Sequence, residues 1–249
     1  MNKAQLIVSR SDKNIYRDGK NLVKVFEANY SKADVLNEAL NHARVEETDL
    51  RIPGLNAVQV VDGKWAIVLD YIEGDTLQSL MDAHPEKEDE YLNLFVDLQR
   101  TILSKKVPML NKLKDKMQGR ISAADLDATA RYDLHTRLDS MPKHTHLCHG
   151  DFNPTNVIIT KDGTPYIIDW AHATQGNSSA DVAVSYLTFY LAGKRELGDK
   201  YLKLYCKKSD TAIQYVQRWI PIVAASRLSK SKPEEKEFLH SWIDVVDYE

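Results

Sequence analysis

The sequence predicts an α+β fold in two parts, a small antiparallel sheet carrying one helix and a larger, mainly helical region after it. Three observations predict this. Two Asp-Gly pairs within the first seventy residues lie between alternating apolar segments, the pattern of tight hairpins. Beyond Asp75 the apolar residues recur at helical spacing. A third pair, Asp162-Gly163, marks a single hairpin inside that helical stretch.

The chain has 249 residues, against ~150 for a typical domain, so one domain or two joined lobes are the choices. Apolar residues make up 43% and charged residues 28%, with only 10 Gly and 8 Pro, which supports a sizeable core and excludes disordered or collagen-like chains. The formal charge of −3 provides no global field to recruit nucleic acid or an anionic membrane, and neither is expected as a partner. The longest apolar runs, such as Trp65 to Leu69 and Trp219 to Ala225, fall short of the ~18 residues a membrane helix requires. The first residues contain no apolar stretch of signal-peptide length, and two cysteines, Cys148 and Cys206, cannot make a disulfide framework. A cytoplasmic location is therefore expected.

Taken in order, Asn14 to Arg17 and Lys20 to Phe26 flank Asp18-Gly19 and predict the first hairpin, with Leu22, Lys24 and Phe26 alternating with Val23 and Val25. Ser31 and Asp34 form a capping pair that opens a helix reaching about Thr48, its stripe being Val35, Leu36, Ala39, Leu40 and Ala43. Ala57 to Val61 and Lys64 to Leu69 close a second hairpin on Asp62-Gly63. The polar break from Asp70 to Asp75 is the expected lobe junction. Pro85 suits the start of a helix whose apolar face is Tyr91, Leu92, Phe95, Leu98 and Ile102. Ser122 is expected to cap a helix through Leu138, and further helices are expected around 181–194, 209–229 and 234–246, with Trp219 and Trp242 as core aromatics. The basic stretch from Lys105 to Arg120 lacks interleaved aromatics and reads as a solvated helical face.

The chemistry concentrates between Leu147 and Trp170, LCHGDFNPTNVIITKDGTPYIIDW. With Asp162-Gly163 in the two central turn positions, Lys161 pairs with Thr164 and Asn156 faces Asp169, their Cβ atoms roughly 4.5–5.5 Å apart. An amide oxygen and a carboxylate converging there suit a hard cation, and oxygen ligands without thiolate or imidazole favour Mg²⁺, which shares its shell with phosphates. Asp151, five residues before Asn156 on the same loop, is placed to address a hydroxyl beside that metal. Asx residues are ordinary turn formers taken singly; three bracketing one hairpin favour function. His144, His146 and Cys148 alternate without a second Cys/His cluster to close a zinc site, so Cys148 is expected to be a small buried side chain.

HGDFNPTN followed by IIDW resembles the catalytic loop and metal-binding segment of the aminoglycoside phosphotransferase and choline kinase group, relatives of the protein kinases. Val23-Lys24-Val25 resembles that group's lysine strand, Glu38 its partner on the following helix, VLDYIEGDTL the hinge, and Asp181 in ADVA the aspartate that braces the catalytic loop. The resemblance implies a two-lobed protein-kinase-like fold, with a nucleotide-binding lobe over 1–69, a hinge over 70–75 and a catalytic and acceptor-binding lobe over 76–249. It implies Asp151 as the base acting on the acceptor hydroxyl and Asn156 and Asp169 as Mg²⁺ ligands. Lys24, fixed by Glu38, is then the contact to the α- and β-phosphates of ATP or GTP, and backbone groups of Asp70 and Ile72 meet the adenine. His149 is expected to support the loop. One departure stands out: no glycine precedes Gly19, so Ser11, backbone amides and Lys13 within Ser9 to Asn14 are expected to replace a glycine-rich loop.

Only eleven residues, Trp170 to Ala180, separate the metal-binding strand from the Asp181 helix, which favours a small-molecule acceptor over a peptide. An aminoglycoside-like antibiotic, a sugar and an amino alcohol all remain open. A polycation needs acidic residues, for which Glu73, Asp75 and the tail Asp244, Asp247 and Glu249 are candidates, and a quaternary ammonium needs an aromatic cage, for which Trp170, Tyr186 and Trp219 are. The alternative from another class is a noncatalytic nucleotide-binding scaffold of kinase-like fold, motivated by the missing glycines. The presence of Lys24, Glu38, Asp151, Asn156 and Asp169 together argues against it.

Overall fold

The computed structural model describes residues 4–243. Two compact units emerge: residues up to Pro85 together with Pro154–Ala173, and Glu86–Asn153 together with the chain from Thr174 onward.

The first unit is built on an antiparallel sheet of β1 (Gln5–Ser9), β2 (Lys13–Asp18), β3 (Asn21–Phe26), β4 (Leu55–Val61) and β5 (Lys64–Asp70), in the order β1-β2-β3-β5-β4. Its second hairpin turns on Asp62 and Gly63 as expected, both with positive φ, and pairs Val61 with Lys64. The first hairpin instead pairs Asp18 with Asn21, so Gly19 and Lys20 form its turn, one residue later than the sequence suggested. Strand alternation puts Phe26, Ile67 and Leu69 against α1 (Lys32–Glu46), while Val23, Val25, Ala66 and Val68 cluster on the opposite face. Ser31 caps α1 by accepting the Asp34 N–H at 3.4 Å. The buried stripe of α1 is Val35, Glu38, Ala39, His42 and Val45, whereas Leu36 and Leu40 are exposed.

The stretch 70–75 and the hairpin after Pro154 both belong to this unit. The reason is a nonlocal strand pairing: β6 (Gly74–Thr76), which leads into α2 (Leu77–Ala83), pairs with β8 (Val157–Thr160), which pairs in turn with β9 (Pro165–Ile167).

The second unit contains α3 (Glu88–Leu103), α4 (Leu113–Ala123), α5 (Ala128–Ser140), the short strands β7 (His146–Cys148) and β10 (Thr174–Gly176), then α6 (Ser178–Leu191), α7 (Arg195–Ser209), α8 (Ile213–Gln217), α9 (Ile220–Leu228) and α10 (Pro233–Ile243). Ser122 ends α4 rather than capping its successor; Asp127 caps α5, accepting the Ala130 N–H at 2.9 Å. The basic stretch is only partly solvated. Lys114 donates to the carbonyls of Asp139 and Met141, and burial beside Arg120 and Lys230 pushes Lys116 down to about 7. Among the described residues no helix is long and apolar enough to cross a membrane.

Candidate active site

In the first unit, the alternation that buries Phe26 against α1 places Lys24 on the same face of β3, opposite Ile15 and Ile67. Glu38 sits one turn beyond Val35 in the buried stripe of α1. The Lys24 ammonium donates to Glu38 Oε1 at 2.7 Å and to Asp169 Oδ1 at 2.9 Å. Burial works against the Lys24 charge, but Asp169 and Glu38 together outweigh it, and its pKa lies above the ordinary value. Lys13, at the start of β2, approaches Glu38 Oε2 at 3.5 Å, and Arg10 approaches Asp169 Oδ2 at 4.0 Å.

The hairpin that delivers Asp169 differs from expectation by one residue. Its pairs are Val157 with Ile167 and Ile158 with Tyr166, and Ile168 N–H donates to the Asn156 carbonyl, so Asn156 opposes Ile168 and not Asp169. The turn has three residues, Lys161, Asp162 and Gly163. Thr160 and Thr164 tie themselves to the Asp162 carboxylate, and Gly163, at φ +83°, takes the left-handed position that closes the bulge. A one-residue shift moves a strand side chain to the other face, yet Asp169 still reaches Lys24 because its own backbone turns left-handed, at φ 65° and ψ 63°. The next residues anchor it: Trp170 Nε1 donates to the Ile167 carbonyl, and Asn41 of α1 donates to the Ala171 carbonyl. Asn156 is buried in the 3₁₀ turn that starts β8. Asn156 carries an amide oxygen and Asp169 a carboxylate, donor types that suit Mg²⁺, an ion that keeps waters and phosphate oxygens in its shell.

In the second unit, Asp151 lies in a loop held from below. Gly150, at φ +79°, donates its N–H to Asp181 Oδ1 at 2.7 Å. Phe152 is buried and stacks on Phe95 of α3, with ring centroids 4.4 Å apart. Its carbonyl accepts from Ser185 Oγ at 2.7 Å, and Ser185 in turn accepts from Gln99 at 3.1 Å. Asn153 closes the loop by donating to the Asp151 carbonyl. Burial pushes the Asp181 carboxyl up to about 6, against the N–H groups that favour its ionised form. His149 is fully buried, in keeping with a supporting role. Gln99 and Ser185 escaped the sequence reading, although a glutamine inside the apolar stripe of α3 and a serine one turn beyond Asp181 are the signals that mark them.

Ser11 is exposed in the turn between β1 and β2. Asp70 ends β5, its N–H donating to Gly54 and its carboxylate accepting from Gly54 and Asn56; Ile72 follows in the irregular segment before β6. Trp170 and Trp219 are core residues of their own units, and Cys148 is a buried thiol whose pKa burial raises well above the ordinary value. Asp244, Asp247 and Glu249 lie outside the described residues. A cavity of about 610 Å³ in the second unit, lined by Arg100, His144, His146 and Tyr205 among others, contains none of the predicted site residues.

The model of the phosphotransferase enzyme family matches residues 5–216. The chain belongs to this family. It is thus a phosphotransferase with an alcohol group as acceptor. No curated protein matches the sequence. Among solved structures, the aminoglycoside phosphotransferase APH(4)-Ia, as an apo thermostable mutant, is 15% identical at a TM-score of 0.72, covering 97% of this chain and 92% of that one. An ADP-bound APH(2'')-Ib gives 14%, 0.65, and coverage of 97% and 92%. LicA in complex with AMP gives 14%, 0.61, and coverage of 96% and 90%. At such identities these likenesses establish the kinase-like fold of this family member.

Proposed function

We propose that this phosphotransferase moves the γ-phosphate of ATP or GTP onto a hydroxyl of a small molecule. The hydroxyl oxygen attacks the γ-phosphorus, the bond from phosphorus to the β,γ-bridging oxygen breaks, and the hydroxyl proton passes to Asp151. A phosphate ester and a nucleoside diphosphate result. Lys24, held by Glu38, neutralises the α- and β-phosphates. Asn156 and Asp169 would hold Mg²⁺, which when bound offsets phosphate charge. Backbone groups of Asp70 and Ile72 take the nucleobase, and the Ser11 turn covers the phosphates. In this reading residues 1–69 form the nucleotide lobe, 70–75 its hinge, and 76–249 the catalytic and acceptor lobe.

The observation that carries the reading is the buried Lys24 ammonium shared between Glu38 and Asp169, drawn together from a strand, a helix and a distant hairpin. Phosphoryl transfer asks a protein mainly to position reactants and neutralise charge, and this arrangement supports both. The APH(4)-Ia structure with AMP-PNP and hygromycin B supports a nucleotide donor and a small acceptor here. The acceptor is an aminoglycoside-like antibiotic, a sugar or an amino alcohol.

The test is ADP and GDP release with Mg²⁺ across aminoglycosides, sugars, choline and ethanolamine. Acceptor-stimulated release that disappears in Asp151→Asn, with nucleotide binding kept, is the expected result. A wild-type protein that binds no nucleotide overturns the reading and leaves a scaffold.

A further inference from the structure

Glu38 divides its two carboxylate oxygens between two lysines, Oε1 going to Lys24 and Oε2 to Lys13. Lys13 is as buried as Lys24, at 6% exposure, with its ammonium also 5.4 Å above the Phe26 ring. Burying an ammonium is costly unless it is paired, and an apolar side chain would fill the same space without that cost, so packing alone does not account for a lysine here. The turn before β2 holds it firmly: Arg10 N–H donates to the Lys13 carbonyl at 2.9 Å, Glu27 N–H to the Asp12 carbonyl at 2.9 Å, and Ser9 Oγ to Asn14 at 2.7 Å. From end to end the groups alternate in sign, Lys13, Glu38, Lys24, Asp169, Arg10. Three cations face two carboxylates, leaving one positive charge in excess for a polyphosphate.

A lysine that serves phosphates must be fixed by its carboxylate without being consumed by it. We propose that Lys13 is a positioning residue of the phosphate site: by engaging Glu38 Oε2 it fixes the carboxylate and keeps Lys24 directed to the donor's phosphates. This rests on the phosphotransfer reading above. It also gives the glycine-free turn between β1 and β2 a function, since that turn holds Lys13 against the Glu38 carboxylate that fixes Lys24.

The test is a double-mutant cycle on MgADP affinity measured by calorimetry, with Lys13→Met, Lys13→Arg, Glu38→Gln and the Met/Gln double variant. Lys13→Met is expected to weaken MgADP binding about tenfold, the scale of coupling between neighbouring charged groups, and Lys13→Arg to keep most of the wild-type affinity. In the Glu38→Gln background the same Met substitution is expected to cost less than about twofold, because the carboxylate it acts through is gone. An unchanged affinity in Lys13→Met overturns the proposal. So does an equal loss in both backgrounds, which would mean that Lys13 meets the phosphates itself. Glu38 keeps Lys24 as its partner in Lys13→Met; should that variant still not fold, Lys13→Gln is read the same way. A wild-type protein without MgADP affinity overturns the phosphotransfer reading itself, a result distinct from a Lys13 variant that matches it.

Discussion

Removing the Glu38 carboxylate takes from buried Lys13 the ion pair it makes at 3.5 Å and leaves Lys24 with Asp169. Breaking a buried ion pair from one side costs about 3–5 kcal/mol, so Glu38→Ala should lower the unfolding free energy measured by urea titration by an amount of that order, and Lys24→Met by less, since Glu38 retains Lys13. Asp169 makes a second prediction. Its left-handed backbone favours Asn and Gly over other residues, so Asp169→Asn should add no backbone strain while losing Mg²⁺-nucleotide affinity and the stability of the Lys24 ion pair, Glu38 remaining as the Lys24 partner. Asp169→Ala loses the same carboxylate and adds about 1–2 kcal/mol of backbone strain, visible as a lower melting temperature than that of the Asn variant. Lys24 and Glu38 were legible because strand alternation and helical spacing fix which way each points. The backbone turn at Asp169 was not, since positive φ at a non-glycine residue is imposed by Trp170, Ala171 and their partners.

Among the elements, the loop carrying Asp151 depends on α6 through Asp181, whose pKa is pushed up to about 6 by burial. The unfolded value is near ~3.9, so between ~4 and 6 the folded state binds more protons than the unfolded one, and stability falls as pH rises through that window. The full contribution is roughly 3 kcal/mol, a pKa difference of about two units at 1.36 kcal/mol each. Asp181→Asn, which keeps an oxygen for the Gly150 N–H, should show a flatter urea midpoint between pH 4 and 6 than wild type. An unchanged slope would show that Asp181 does not titrate as its burial requires. The hairpin before Asp169 was legible but not its register, because the hydroxyls of Thr160 and Thr164 commit Asp162 to a wider turn than an Asp-Gly pair normally makes. Helix α7 was missed for a similar reason. Gly198 interrupts its pattern, yet a Cβ there would meet Phe189 and Tyr190 of α6 at 3.1 Å, so the glycine serves close packing between helices and does not end one.

For the whole molecule, the division into an early sheet and a helical remainder was legible because hairpins and helices are local. The return of 154–173 to the first unit was not, since β6 and β8 pair across more than eighty residues and nothing local signals it. That assignment leads to a test of where the donor binds. Lys13, Lys24, Glu38, Asn156 and Asp169 all belong to the first unit, whereas Asp151 and Asp181 belong to the second. A ligand that binds the folded chain alone stabilises it by about 2.7 kcal/mol at a hundredfold excess over Kd. Amides ordered around it should exchange more slowly still. With MgADP and no acceptor, slowed hydrogen exchange is therefore expected in β3, α1 and the 156–171 segment beyond the uniform effect on global unfolding. The extra protection should vanish in Lys24→Met and persist in Asp151→Asn. Protection centred instead on α4 and α9 would place the donor in the second unit and separate the Lys24 cluster from nucleotide binding.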